Sequence, residues 1–258
     1  MGVRINTNID ALNAQRNLGI SALAFSKSVE KLSSGMRINR AADDAAGLGI
    51  SETLRGQVKG LNQAVRNAQD GISMIQTGEG ALNEVHAMLQ RIRELAVQYN
   101  NGTNDSAALA SISAEAVSLQ STISSIGTNT SFNGVSLLKA STITLQVGAN
   151  KGETQAVKLT LLDTSAAVVS DISTVDTAIA SVSKQRADFG AAQNALEHTV
   201  ASLGVAAENF SASESRIRDL DVAAEMVNFT KTQIMQQAGT AILAQANQAP
   251  QGILALLR

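Results

Sequence analysis

Cysteine and tryptophan are absent from the 258-residue chain, and tyrosine and proline each occur once. The lack of cysteine excludes disulfides and thiolate metal sites, yet leaves the compartment open. Aromatic residues make up only 2% of a chain that is 44% hydrophobic. A compact globule of this length normally fills its centre with aromatic bulk. This chain must bury itself with Ala, Leu, Ile and Val, which suits helices lying close together. With Pro250 the single proline, almost the whole sequence is free to be helical. A formal net charge of -2 and a pI near 5.7 give no electrostatic reason to expect nucleic acid or an anionic membrane as partner. No apolar run approaches the length that spans a bilayer, so membrane insertion is not expected. The opening Met1-Gly-Val-Arg-Ile-Asn lacks the charged start and apolar core of a cleavable signal peptide.

Chemistry-bearing clusters are equally scarce. His86 and His198 stand far apart, without a His-Glu-x-x-His pair. Gly78-Glu-Gly80 lies inside a helical pattern with no strand before it, which excludes a phosphate loop. Asp43 and Asp44 fit polar contacts at a joint better than paired catalytic acids. The chain therefore reads as a non-enzyme with no cofactor and no metal.

Periodicity is the strongest positive signal. From Val168 through Ile172, Val175, Ile179, Val182, Phe189, Leu196, Val200, Leu203, Ala207, Phe210 and Ile217, apolar residues recur in steps of three and four. Only Arg186, Gln193 and Glu214 interrupt that stripe. Heptads sustained this far need a partner helix. Asp171 suits the N-cap, and an uninterrupted helix from there towards Pro250 would extend roughly 110 Å. A second stripe runs Leu54, Val58, Leu61, Val65, Ala68, Ile72, Ile75, Glu79, Leu82. It then takes an extra step of three to Val85, Leu89, Ile92 and Ala96, which predicts local overwinding. Asn100-Asn-Gly102 should end that helix with Gly102 in the left-handed position. Asp105 can cap a third helix striped by Leu109, Ile112, Ala116, Leu119, Ile123 and Ile126.

One β segment interrupts the helices. Ile143, Leu145 and Val147 alternate with polar residues, as do Val157, Leu159 and Leu161, with Gly148-Ala-Asn-Lys-Gly152 as turn between them. Asn133-Gly134 marks an earlier turn. Near the start, Ile5, Ile9 and Leu12 lead into a stripe of Leu18, Ala22, Phe25, Val29 and Leu32. Near the end, Leu220, Ala224, Val227, Ile234, Ala238 and Ala241 share a line, flanked by Val222, Met226, Phe229, Met235 and Ile242. Ile253-Leu254-Ala-Leu256-Leu257 adds another apolar patch. A helix apolar over so much of its circumference cannot be satisfied by one partner. These residues are the candidate self-association surface. Between Ser33 and Leu48 the heptads stop, with Ser33-Ser-Gly35 a natural helix end, and Ser34, Gly35, Arg37, Asn39, Asp43 and Asp44 form a candidate joint.

The predicted fold is mainly α: an elongated antiparallel long-helix bundle with a small β-hairpin, plus a terminal coiled-coil layer made of both chain ends. Residues 1–43 and 218–258 should form the terminal domain. Residues 44–217 should form the bundle, with the hairpin near 142–162.

Several segments carry a resemblance in order along the whole chain. Ile5-Asn-Thr-Asn8 with Leu12-Asn-Ala-Gln15, and Lys31-Leu-Ser-Ser-Gly35-Met-Arg37-Ile-Asn39 with Ala41-Ala-Asp43-Asp44-Ala-Ala-Gly47, resemble bacterial flagellin. Gln90 to Gln98, Phe132-Asn-Gly134, Leu145 to Asn150 and Gln245 to Arg258 continue the likeness. Large outer domains often follow the hairpin in that family. Here the chain passes almost directly into the next helix, so it looks like a minimal form.

The resemblance implies a secreted homopolymer, the extracellular filament of the bacterial flagellum. It further implies export unfolded through the flagellar type III apparatus, with an export chaperone on the C-terminal segment and a filament cap and hook-junction proteins as partners. It implies recognition by the host flagellin-sensing Toll-like receptor through Arg91, Leu95, Gln98 and Glu115, the first three sharing one helix face. A cytosolic inflammasome receptor would read Leu254, Leu256 and Leu257. The competing readings are a hook–filament junction protein, with the same terminal layers, and a cytoplasmic helical signalling rod, which the hairpin and apolar ends oppose.

Overall fold

A computed structural model describes residues 7–160 and 169–256, with side chains placed as far as Gln248. Ile5, Leu161, Val168 and Leu257 lie outside the described residues, and Leu254 and Leu256 are placed only as helical backbone. The chain is mainly α, with five helices and two small hairpins among the described residues. These are α1 (Ile9–Ser34), α2 (Ala45–Tyr99), α3 (Ser106–Asn129), β1 (Ser131–Phe132), β2 (Val135–Ser136), β3 (Ser141–Gln146), β4 (Thr154–Leu159), α4 (Ile172–Arg218) and α5 (Val222–Leu256). The chain divides into two units, Met1–Arg55 with Phe210–Arg258, and Gly56–Asn209. The terminal unit thus reaches further into α2 and α4 than positions 43 and 218, where the heptad pattern breaks.

The helix boundaries follow from capping. Asn8 and Asp105 accept hydrogen bonds from the backbone N–H groups of Ala11 (3.0 Å) and Ala108 (2.7 Å). Asp171 accepts from the Ser173 N–H at 2.9 Å, as its position before the α4 stripe predicts. Gly35 closes α1 in the left-handed region at φ 69°, donating to the Lys31 carbonyl. Two expectations need correction. Gly102 is not left-handed: the positive-φ glycines among the described residues are Gly35, Gly134 and Gly152. The turn after α2 instead uses Asn101 and Asn104, whose N–H groups reach back to Gln98 and Asn101. The long C-terminal rod is also broken. Helix α4 stops at Arg218, and Asp221 restarts the chain as α5 by accepting from the Ala224 N–H at 3.1 Å. Aspartate captures backbone N–H groups better outside a helix than within one, so Asp221 acts as punctuation without proline.

In the Gly56–Asn209 unit, α2 and α4 are antiparallel, since Gly71 lies against Leu196 while Gly78 lies against Phe189. Ion pairs Arg93–Asp176 (2.6 Å) and Arg186–Glu79 (3.7 Å) mark the same register. The buried seam of α2 is Leu61, Ala64, Ala68, Gly71, Ile75, Gly78, Leu82, Val85, Leu89, Ile92 and Ala96. That series keeps strict steps of three and four, so the expected overwinding is absent. The apparent slip came from taking Val65, Ile72 and Glu79 in place of their smaller neighbours Ala64, Gly71 and Gly78. On α4 the buried series is Val175, Ala178, Val182, Gln185, Phe189 and Leu196. Arg186 and Gln193 therefore lie beside the seam and do not interrupt it.

Helix α3 buries Ile112, Ala116 and Ile123, as its stripe predicts. Strands β3 and β4 pair antiparallel, with Ile143 opposite Val157 and Ser141 opposite Leu159. Ile143, Leu145, Val157 and Leu159 pack into the helical core, which supplies what a lone hairpin lacks. The β1–β2 turn places Asn133 at φ 48° and Gly134 at φ 80°, the signature of a type I′ turn. Each fully buried Leu or Ile of this core stabilises by about 1.5–3 kcal/mol.

Candidate functional site

Helices α1 and α5 pair antiparallel. Leu18 lies against Gly239, the rings of Phe25 and Phe229 stack with centroids 5.1 Å apart, and the Asn8 Nδ2 donates to the Ala246 carbonyl at 2.7 Å. The α1 seam runs Leu18, Ser21, Phe25, Ser28 and Leu32, with both serines only 6% exposed. Sequence reading had put Ala22 and Val29 there, because serine scores as polar. A hydroxymethyl group is small enough to let two helices approach closely, which favours Ser28 over the bulkier Val29. On α5 the inward residues are Phe229, Thr232, Gln236, Gly239, Leu243 and Ala246.

The paired ends therefore satisfy one seam each and leave other apolar faces open. Ile9, Leu12, Ile20, Leu23 and Val29 are exposed on α1; Val222, Met226, Val227, Ile234, Met235 and Ile242 are exposed on α5. Of the expected surface, Leu18, Phe25 and Leu32 serve the intramolecular seam, while Ile9, Leu12, Val29, Val227, Ile234 and Ile242 remain open. Leu220 is half-buried. So extensive an apolar surface is unusual for a monomer. Among the described residues no helix is long and apolar enough to cross a membrane.

The candidate joint is a strap within the terminal unit. Met36 and Asp219 form an antiparallel bridge, flanked by hydrogen bonds from Arg37 N–H to Arg218 O (2.7 Å) and from Leu220 N–H to Gly35 O (3.0 Å). The Arg37 guanidinium donates to the Ile217 carbonyl through Nε (3.1 Å) and Nη2 (2.6 Å), closing the last turn of α4. Asn39 donates to the Ser34 hydroxyl at 2.7 Å and to the Glu30 carbonyl at 3.3 Å. Asp43 accepts from the Arg40 and Asn39 N–H groups, and Asp44 accepts from Gly47 N–H at the start of α2. The Arg40 bond leads in holding the Asp43 carboxyl below its usual range, helped by the Asn39 bond and by Lys27 and Lys31. Ser34, Gly35, Arg37, Asn39 and Asp43 thus take part in the strap and its bracing, while Asp44 bonds only to the first turn of α2. Sequence reading missed the strap's far side, Ile217 to Asp219, which carries no motif because backbone carbonyls do the accepting.

Arg91 is exposed on α2 and bonds Glu94 (3.0 Å) and Glu115 of α3 (2.9 Å). Those two bonds raise the arginine pKa further. Gln98 is exposed about two turns beyond Arg91. Leu95 departs from the expectation: it is 1% exposed and belongs to the core. Two helices pack against this end of α2, α3 through Arg91 and α4 through Arg93, so a residue turned only slightly from the seam is covered.

Paired chain ends with open apolar faces, tied by a backbone strap, define a subunit built to pack against copies of itself. The comparisons name the family. The N-terminal helical region of bacterial flagellin matches residues 5–142, and the C-terminal helical region matches residues 172–257. A flagellin of Halalkalibacterium halodurans is 51% identical over 270 aligned positions, covering 98% of this chain and 99% of that one. A Bacillus subtilis flagellin is 47% identical over 304 aligned positions, covering 99% and 100%. The crystal structure of Bacillus cereus flagellin is 33% identical with a TM-score of 0.50, covering 54% of this chain and 88% of that one. The chain belongs to the bacterial flagellin family and is a structural subunit of the extracellular flagellar filament. It is a minimal form: β4 ends at Leu159 and α4 begins at Ile172, leaving no room for a large outer domain between them.

Proposed function

We propose that this flagellin polymerises by burying the open stripes of α1 and α5 against the same stripes of neighbouring subunits. The observation carrying the proposal is the set of large apolar side chains left exposed on both helices after they have paired. The role is mechanical and non-catalytic. The same unfilled faces give an export chaperone its reason to hold the C-terminal segment before assembly, and give the filament cap and hook-junction proteins a surface to meet. The test is seeded growth of the purified chain, followed by electron microscopy, beside a chain lacking residues 250–258. Filaments are expected from the full chain and not from the shortened one. A full chain that stays monomeric on seeds with cap protein present would move the role to a junction subunit.

The Arg91, Gln98 and Glu115 face carries a second proposal, contact with the flagellin-sensing Toll-like receptor. The three are exposed, and the double ion pair holds Arg91 in one orientation across α2 and α3. Leu95 supports that face from beneath. A reporter-cell assay should respond to clean monomer and lose most of its response with Arg91→Ala. An unchanged response would remove this face from the contact.

A further inference from the structure

The sequence holds two Asn-Gly steps, Asn101-Gly102 and Asn133-Gly134, both exposed. A glycine after asparagine offers its backbone nitrogen to the asparagine side chain without a Cβ in the way. The two steps are held very differently. Asn133 and Gly134 sit at φ 48° and 80° in a tight turn, between paired Phe132–Val135 and Ser131–Ser136, with Leu137 N–H bonded to Thr130 O just outside. The Gly134 nitrogen cannot swing onto the Asn133 side chain without breaking that ladder. In the loop between α2 and α3, the Asn101 backbone bonds Gln98 and Asn104, but its side chain and the Gly102 N–H have no hydrogen-bond partner among the described residues. Gly102 is outside the left-handed region, and a Cβ placed on it would meet nothing within 4 Å.

We propose that Asn101 is a site of spontaneous covalent modification, deamidation through a succinimide, and that Asn133 is protected from it by its turn. The Gly102 nitrogen gives up its proton and attacks the Asn101 Cγ. A C–N bond forms, and the side-chain nitrogen leaves as ammonia with that proton. Water then opens the ring at either carbonyl, giving aspartate or isoaspartate. No oxidant or enzyme is needed. The product places a carboxylate beside the C-terminal turn of α2, where the helix already presents partial negative charge. The isoaspartyl form also lengthens the backbone between Gln98 and Asn104. Each subunit would thereby acquire charge at this loop with age, faster as pH rises.

The experiment incubates the purified full chain at mildly alkaline pH and maps its peptides by mass spectrometry, with isoaspartyl methyltransferase labelling. Asn101 should convert to a mixture of aspartate and isoaspartate at least about tenfold faster than Asn133, a barrier difference of about 1.4 kcal/mol. Gly102→Ala, which the loop accommodates, should slow Asn101 by about the same factor and leave the thermal melt unchanged. Denaturant should bring the two sites to similar rates. Equal rates in the folded chain would overturn the proposal. So would an unconverted Asn101 when a synthetic peptide of residues 98–105 converts under the same conditions.

Discussion

Val227→Asp and Ile234→Asp should each leave the isolated chain folded and abolish filament growth. Val227 is 66% exposed and Ile234 64% exposed, so neither contributes a packed contact to the α1–α5 pair. Aspartate and valine differ little in helix propensity, and α5 should lose only a few tenths of a kcal/mol. Circular dichroism and sedimentation of the monomer should therefore match the unaltered chain. The assembly proposed above covers the same side chains. Covering the valine or isoleucine is worth about 1.5–3 kcal/mol, and covering an unpaired carboxylate costs several more. The penalty recurs in every subunit, so the critical concentration for growth should rise beyond reach. Phe229→Ala is the informative contrast. It removes the ring stacked on Phe25, so it should loosen the terminal pair in the monomer before assembly is tested. Ordinary filaments from both aspartate variants would show that the open stripes are not the assembly surface.

The distinction between open and paired faces was only partly legible in the sequence. Helix existence, the caps at Asp105 and Asp171, the Gly35 stop and the 141–159 hairpin follow from local chemistry, and the structure places them as that chemistry predicts. At three positions the buried residue lies one step from the periodic apolar one. On α1, α2 and α4 alike, periodicity chose the bulkier neighbour, Val29, Ile72 and Ile179, where the buried residue is Ser28, Gly71 and Ala178. Hydrophobicity ranks residues by transfer energy. A close helix seam selects for small size as well, since large side chains on one helix need recesses on the next. Two positions one apart can both support a three-and-four pattern, so pattern alone cannot decide between them. The strap was half visible for a different reason: its acceptors at Ile217 and Arg218 are main-chain oxygens, and no side-chain code announces them.

That size rule makes a sharp prediction at Gly78. A Cβ there would come within 2.8 Å of Cε2 of Phe189, a residue only 1% exposed. Gly80, two residues on, faces open space, with nothing within 4 Å of the same hypothetical atom. Removing a glycine from a helix interior gains about 0.5–1 kcal/mol, so intrinsic propensity alone favours substitution at both positions. Gly80→Ala should show that gain, raising the melting temperature slightly. Gly78→Val must force the Phe189 ring or the helix axis aside, and overpacking of this kind costs about 1–3 kcal/mol or more, enough to reverse the sign. Adding Phe189→Leu to Gly78→Val should recover part of the loss, because the smaller side chain vacates the space the valine needs. Chemical denaturation of the four chains measures all of this. If Gly78→Val proves as stable as Gly80→Ala, the α2–α4 seam has slack at this level, and close approach is not what requires a glycine there.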